Sequence, residues 1–142
     1  MSNARTTPTK FEELGGEPAL WAIIDRFVDR VCDDIMIGFF FRNVDRTRLK
    51  RHEYEHAARM LGARIEYTGR NLRQAHAKHP IMGGQFARRK TILGQVLEEF
   101  QVPEHIREAW LVHTEKLRPL ITRDAGSDCD PDAAQARISG ND

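Results

Sequence analysis

The sequence predicts an all-α protein, and three observations carry that expectation. Apolar residues recur at helical spacing in several long stretches, first at Leu20, Ile23, Ile24, Phe27, Val31 and Ile35. Capping residues, prolines and glycines stand where such helices would begin and end. No segment of useful length alternates apolar and polar residues in the manner of a strand. At 142 residues a single domain is expected, long enough to bury one core without disulfides or metals.

The elements follow in order. Residues 1–10 are polar and read as a disordered N-terminus. Phe11 to Leu14 can form one helical turn, and Gly15-Gly16 supplies the backbone freedom for a sharp corner. Pro18 suits the first turn of a helix running to about Asp34, with Asp25, Arg26, Asp29 and Arg30 opposite the apolar stripe. Ile35 to Phe41 (IMIGFFF) is too apolar for a surface loop, and its three phenylalanines are expected to be mostly buried, as a plug at a helix corner or as an aromatic wall against a flat cofactor. Asp45 can cap the next helix, which ends at Met60 or Leu61 before Gly62. Its apolar positions are sparse, and their face also carries Glu53 and His56, so burial in a core does not account for it.

Residues 62–70 read as a loop, and Asn71 can cap a short helix through His79 that Pro80 stops. A helix from Gln85 to Phe100 turns Phe86, Ile92, Leu93, Val96, Leu97 and Phe100 inward. Pro103 opens a last helix whose stripe is Ile106, Trp110, Leu111, Leu117 and Leu120. The domain is expected over residues 11–122, followed by a disordered tail over 123–142, where Asp, Gly, Ser, Ala and Pro replace nearly everything apolar.

Composition excludes several functions. The 22 basic and 21 acidic residues nearly cancel, leaving a formal charge of +1, and they are interleaved, so no basic face for nucleic acid is expected. Cys32 and Cys129 show no paired spacing, which fits a reducing compartment. No apolar run is long enough to span a bilayer, and the N-terminus lacks the hydrophobic core of a signal peptide. A cytoplasmic protein without membrane partners is the expectation.

The chemistry concentrates between Leu49 and Ile81, which hold four of the six histidines: His52, His56, His76 and His79. His52 and His56 stand four apart on one helical face. With Glu53 between them they spell H-E-x-x-H, a pair of zinc ligands and a general base, so a zinc-dependent metallopeptidase is one reading. Against it, such enzymes hold peptides on a sheet edge, and this chain offers none.

The order FEELGG, helix, FFRNVDRTRLKRH, LG, YTGRNLRQAH, Ile81 and VPE resembles the truncated haemoglobins of group I, two-over-two α-helical haem globins, over about Phe11 to Thr122. The resemblance implies haem b as cofactor, with His76 as the proximal iron ligand. Phe41 matches the phenylalanine that packs on the haem at the corner, with Phe40 before it. Arg48, Arg73 and Tyr67 match positions near the propionates. Leu49 matches the distal position, and Leu72, Ile81 and Phe86 match apolar pocket positions. His52 matches the place from which some cyanobacterial members supply a distal histidine to the iron; its plainer reading is an exposed histidine near a propionate. His56 and His79 read as surface or pocket-edge residues.

Departures from the pattern matter as well. The family commonly has tyrosine where Val28 stands, and valine offers no donor to bound O2. Glu53 replaces a frequent glutamine, and a carboxylate donates only while protonated. Val28, Leu49 and Glu53 are therefore the expected ligand pocket. Arg89 falls on a usually apolar position, so it is expected to snorkel outward or serve a propionate. The function implied is binding of diatomic ligands (O2 or NO), or electron transfer with a redox partner, and NO oxidation enters by analogy alone.

Overall fold

The computed structural model describes residues 7–68 and 83–122. Among them are six α-helices and one 3-10 turn, and no β-strand: α1 (Lys10–Leu14), α2 (Gly16–Cys32), the 3-10 turn (Gly38–Phe41), α3 (Arg46–Met60), α4 (Gly83–Glu99), α5 (Glu104–Lys116) and α6 (Arg118–Ile121). No described helix is long and apolar enough to cross a membrane.

Local chemistry sets the helix ends. Thr9 and Glu12 form a reciprocal capping box: the Glu12 N–H donates to Thr9 Oγ1 at 3.1 Å, and the Thr9 N–H donates to Glu12 Oε1 at 2.9 Å. Between α1 and α2 the chain turns at Gly15, whose φ of 123° suits only glycine. Asp45 caps α3 as expected, accepting from the Arg48 N–H at 3.2 Å. Pro103 is itself the N-cap residue of α5 rather than part of its first turn. That helix stops at Leu117, and a short α6 carrying Pro119 follows; proline has no N–H to continue the ladder.

Packing builds two helix pairs, α2 with α3 and α4 with α5, layered so that α2 also meets α4 and α3 meets α5. The core lies between them, with Leu20, Ile24 and Phe27 of α2 against Leu93, Val96 and Leu97 of α4 and Ile106 of α5. Each fully buried side chain of this size contributes about 1.5–3 kcal/mol. Trp21 and Tyr54 stack in parallel at 4.2 Å, clamping α2 to α3. The polar edge of that pair is an ion-pair network in which Arg46 reaches Asp29 and Asp33, and Lys50 reaches Asp25 and Asp29.

The segment after α2 departs from expectation. Only Ile37 is buried; Ile35 is 95% exposed and Phe39 51% exposed, while Phe40 and Phe41 are half-buried. Asp34 fixes this turn. Its carboxylate accepts from the Met36 and Ile37 N–H groups and from Arg88 of α4 at 2.7 and 3.0 Å. The phenylalanines are thereby held against the cavity described next rather than inside the core.

Candidate functional site

A cavity of about 660 Å³ opens between α2, the 3-10 turn, α3, α4 and α5, within the usual range for small-molecule and cofactor sites. Its apolar lining includes Ile24, Phe27, Phe40, Phe41, Phe86, Leu93 and Trp110. From α3 come Leu49, His52, Glu53, His56, Ala57 and Met60, spaced i, i+3, i+4, i+7, i+8 and i+11, which is one helical face. This explains the weak apolar pattern of α3: the face meant for a core instead borders the cavity, where polar groups are tolerated.

Those polar groups are organised. Arg89 of α4 donates through Nη2 to both oxygens of Glu53, at 3.0 and 3.1 Å, and its guanidinium lies 5.0 Å from the centroid of the Phe27 ring. Arg89 therefore neither snorkels outward nor stands alone; it is ion-paired within the cavity lining. Tyr67 places its ring 4.1 Å from His56 and 5.7 Å from His52. Burial pushes the Tyr67 phenol up, and the charges of Glu53 and Glu55 add to the shift.

Tyr67 is positioned by its neighbour. Thr68 donates from its N–H (2.8 Å) and from Oγ1 (2.9 Å) to Oε1 of Glu55, a carboxylate buried on α3. Burial alone would raise the Glu55 pKa; the two Thr68 donations, with the charges of His52 and Arg51, outweigh it and hold the carboxyl below its ordinary value.

His56 is the odd member. Its Nε2 is shut off from solvent and has no hydrogen-bond partner, a state that costs about 1–3 kcal/mol. Burial depresses its pKa, and the charges of Arg89, His113 and Arg59 reinforce the shift against the opposing pull of Glu53. His113 of α5 also lines the cavity, and burial, then Lys116, lowers its pKa too. Both rings are thus favoured as neutral imidazoles, the form that ligates metals or shares one N–H and one lone pair.

The cavity brings together Phe40, Phe41, Leu49, His52, Glu53, Tyr67 and Phe86 of the residues expected from sequence. Val28 is 1% exposed in the core and is not among the cavity lining, and Arg48 lies exposed on α3, also off it. Leu72, Arg73, His76, His79 and Ile81 lie outside the described residues. Sequence reasoning missed His113 and Trp110 as cavity residues. A signal was available: with Ile106 they stand at i, i+4 and i+7, so the histidine occupies the apolar stripe of α5.

The metallopeptidase reading finds no support. Among the described residues, no three His, Cys, Asp or Glu side chains are grouped to hold a metal, and Glu53, the would-be general base, is engaged by Arg89.

Comparison with known proteins yields a consistent set. The family model described as bacterial-like globin matches residues 9–123. The chain is 32% identical over 102 residues to a group 1 truncated haemoglobin of Synechocystis sp., covering 69% of this chain and 82% of that protein. It is 30% identical over 117 residues to one from Mycolicibacterium paratuberculosis, covering 82% and 86%. Among solved structures, a point mutant of truncated haemoglobin from Tetrahymena pyriformis in its Fe(III) form superposes with a TM-score of 0.74 at 25% identity, covering 82% of this chain and 100% of that one. The group II truncated haemoglobin of Bacillus anthracis, at 22% identity and a TM-score of 0.74 over 84% and 94% of the two chains, shares the fold.

Proposed function

The chain belongs to the truncated haemoglobins, haem-binding globins of two-over-two fold, and from that premise we propose that it holds haem b on His76 and takes O2 or NO, or passes electrons, at the iron. The observation that carries this reading is the cavity itself. Aromatic and aliphatic side chains of five elements enclose a space of about 660 Å³, and an α3 face bearing two imidazoles borders it. The residues present fit a flat apolar macrocycle with a metal at its centre: Phe40, Phe41 and Phe86 offer apolar surface, and His52 brings an imidazole to the cavity border.

When bound, haem supplies a metal coordination site for a diatomic ligand and a one-electron redox couple. The protein supplies the remainder. Its ring-rich lining keeps water away from the apolar faces of the group. Arg42, which lines the cavity beside Phe41, is better placed than Arg48 to meet an acidic substituent, and Tyr67 and Arg73 are assigned the same duty. His52, on the cavity face of α3, is assigned as a second, distal ligand when no exogenous one is present. With Val28 in the core, α2 offers no hydroxyl at that position to steady bound O2.

Reconstitution with haem tests this directly. The wild-type protein should take up haem and give a globin visible spectrum, with His76→Ala changing the bound spectrum and weakening retention. A low-spin spectrum turning high-spin in His52→Ala would support the distal assignment; an unchanged one removes His52 from the iron. If no haem binds, or if His76→Ala leaves the spectrum untouched, the reading fails.

A further inference from the structure

Seven large apolar side chains stand exposed among the described residues, and four of them fall in the turn that joins α2 to α3: Ile35 (95%), Met36 (56%), Phe39 (51%) and Val44 (42%). Such groups are ordinary when scattered; gathered in one stretch they mark a surface that something covers. The turn is not a frayed loop. Asp34 accepts from two of its backbone N–H groups and from Arg88, and Phe39 stacks on Phe40 with ring centroids 4.2 Å apart. The patch is therefore in place before any partner arrives.

Its position and charge say what kind of partner it fits. Ile35, Phe39 and Val44 border a shallow depression of about 480 Å³, and Phe39, Phe41, Arg42 and Val44 line both this depression and the cavity behind it. One layer of side chains thus separates the surface from the contents of the cavity. The acids beside the patch are already engaged: Asp33 with Arg46 at 2.6 Å, Asp34 with Arg88 at 2.7 Å, and Asp45 with the backbone of α3. Arg42, Arg48 and Arg51 are exposed, and none forms an ion pair among the described residues. Even with Arg42 turned to an acidic haem substituent, two cations remain on the flank. An apolar centre with Met and Phe beside unpaired arginines has the composition that protein interfaces favour.

We propose that this turn is the docking surface for an acidic one-electron carrier protein, which covers the apolar patch, sets its carboxylates against the α3 arginines and delivers an electron across the wall that Phe39 and Val44 share with the cavity. The proposal rests on the haem-binding reading above and deepens it by naming the chemistry of the redox partner. In the step the carrier loses one electron and the ferric iron gains it, with no covalent bond made or broken in this chain. An encounter of this kind needs only a small, short-lived interface, steered by charge.

The probe is flavodoxin, a small acidic flavoprotein that gives up one electron at a time. Haem-loaded ferric protein is mixed in stopped flow with reduced flavodoxin and, separately at the same ionic strength, with dithionite, which needs no docking. The second-order rate with flavodoxin should fall as salt is raised. Arg48→Glu should lower it about threefold or more and Ile35→Ser about fivefold or more, while each changes the dithionite rate by less than about twofold. Both side chains are exposed and lie off the cavity lining, so folding and haem uptake should be unaltered, as the melt and the visible spectrum will report. A readout independent of electron transfer is amide NMR of the ferrous carbonyl form titrated with oxidised flavodoxin, where shifts should gather at residues 35–44 and at Arg48. Unchanged flavodoxin rates in both variants, an equal loss with dithionite, or shifts on another face overturn the assignment. So do two rival occupants: a dimer in sedimentation equilibrium that Ile35→Ser dissociates, or binding to phosphatidylglycerol vesicles that Ile35→Ser abolishes while the flavodoxin rate holds. Failure to take up haem would overturn the parent reading and this one together, whereas the salt, variant and NMR outcomes bear on the docking surface alone.

Discussion

Replacing Glu55 by Gln probes how the loop carrying Tyr67 is held to α3. In the native protein one buried carboxylate oxygen accepts from both the N–H and the hydroxyl of Thr68, at 2.8 and 2.9 Å, with the hydroxyl also 3.2 Å from the second oxygen. Hydrogen bonds to a charged group contribute about 1.5–3 kcal/mol each. Thr68 itself is exposed, so water recovers part of the loss, and glutamine keeps one acceptor oxygen. A net destabilisation of about 1–2 kcal/mol at pH 7 is expected, which for a domain of this size lowers Tm by about 4–8 °C.

The pH dependence identifies the cause. The folded carboxyl titrates below its ordinary value, so its stabilisation is fully present above the unfolded pKa, about 4.3 for a glutamate, and is lost as pH falls through the folded value. Urea unfolding of wild type and Glu55→Gln at a series of pH values should therefore show a gap that is constant near neutrality and closes in acid. A gap that persists undiminished in acid, or no gap at pH 7, would refute the argument.

Two further substitutions follow from the turn after α2. Asp34→Ala removes an acceptor used by Arg88 and by two backbone N–H groups. It should cost about 2–3 kcal/mol by denaturant unfolding, discounted because Arg88 is partly exposed. The Arg88 hydrogen bond outweighs burial and lowers the Asp34 pKa, so this contribution too is present above the unfolded pKa and lost as pH falls through the folded one; a cost that does not shrink in acid counts against it. Gly38→Ala would set a Cβ 2.5 Å from the Cys32 carbonyl oxygen, a backbone atom that cannot step aside. It should cost about 1–3 kcal/mol, read as a lowered melting temperature, and an unchanged melt would mean the turn is looser than it looks.

Much of the architecture can be read along the chain because its causes are local. The stripe of α2, the cap at Asp45 and the stop before Gly62 each depend on residues a turn or less apart. The site is less legible because its causes are distant. Asp34 and Arg88 are 54 positions apart, Glu53 and Arg89 36, and Glu55 and Thr68 13. No periodicity connects such pairs. The phenylalanines of the 3-10 turn show a second limit: an apolar run looks the same whether it fills a core or borders a cavity, so their half-exposed state could not be foreseen. Likewise Val28 sits on the buried stripe of α2 whether or not that stripe also faces a ligand. The resemblance supplied the expectation of a pocket that Leu49, His52, Glu53 and Phe86 line, yet it pointed to neither His113 nor the ion pair across the cavity.

That ion pair has a consequence for how this sequence can change. A carboxylate at position 53 without Arg89, or a guanidinium at 89 without Glu53, would leave a charge beside aromatic walls without its counterion, a cost that water offsets in part because both side chains are about a quarter exposed. Neither substitution is an easy first step by itself. The two positions are energetically coupled, and a descendant of this chain with a neutral residue at 53 is expected to carry an uncharged one at 89.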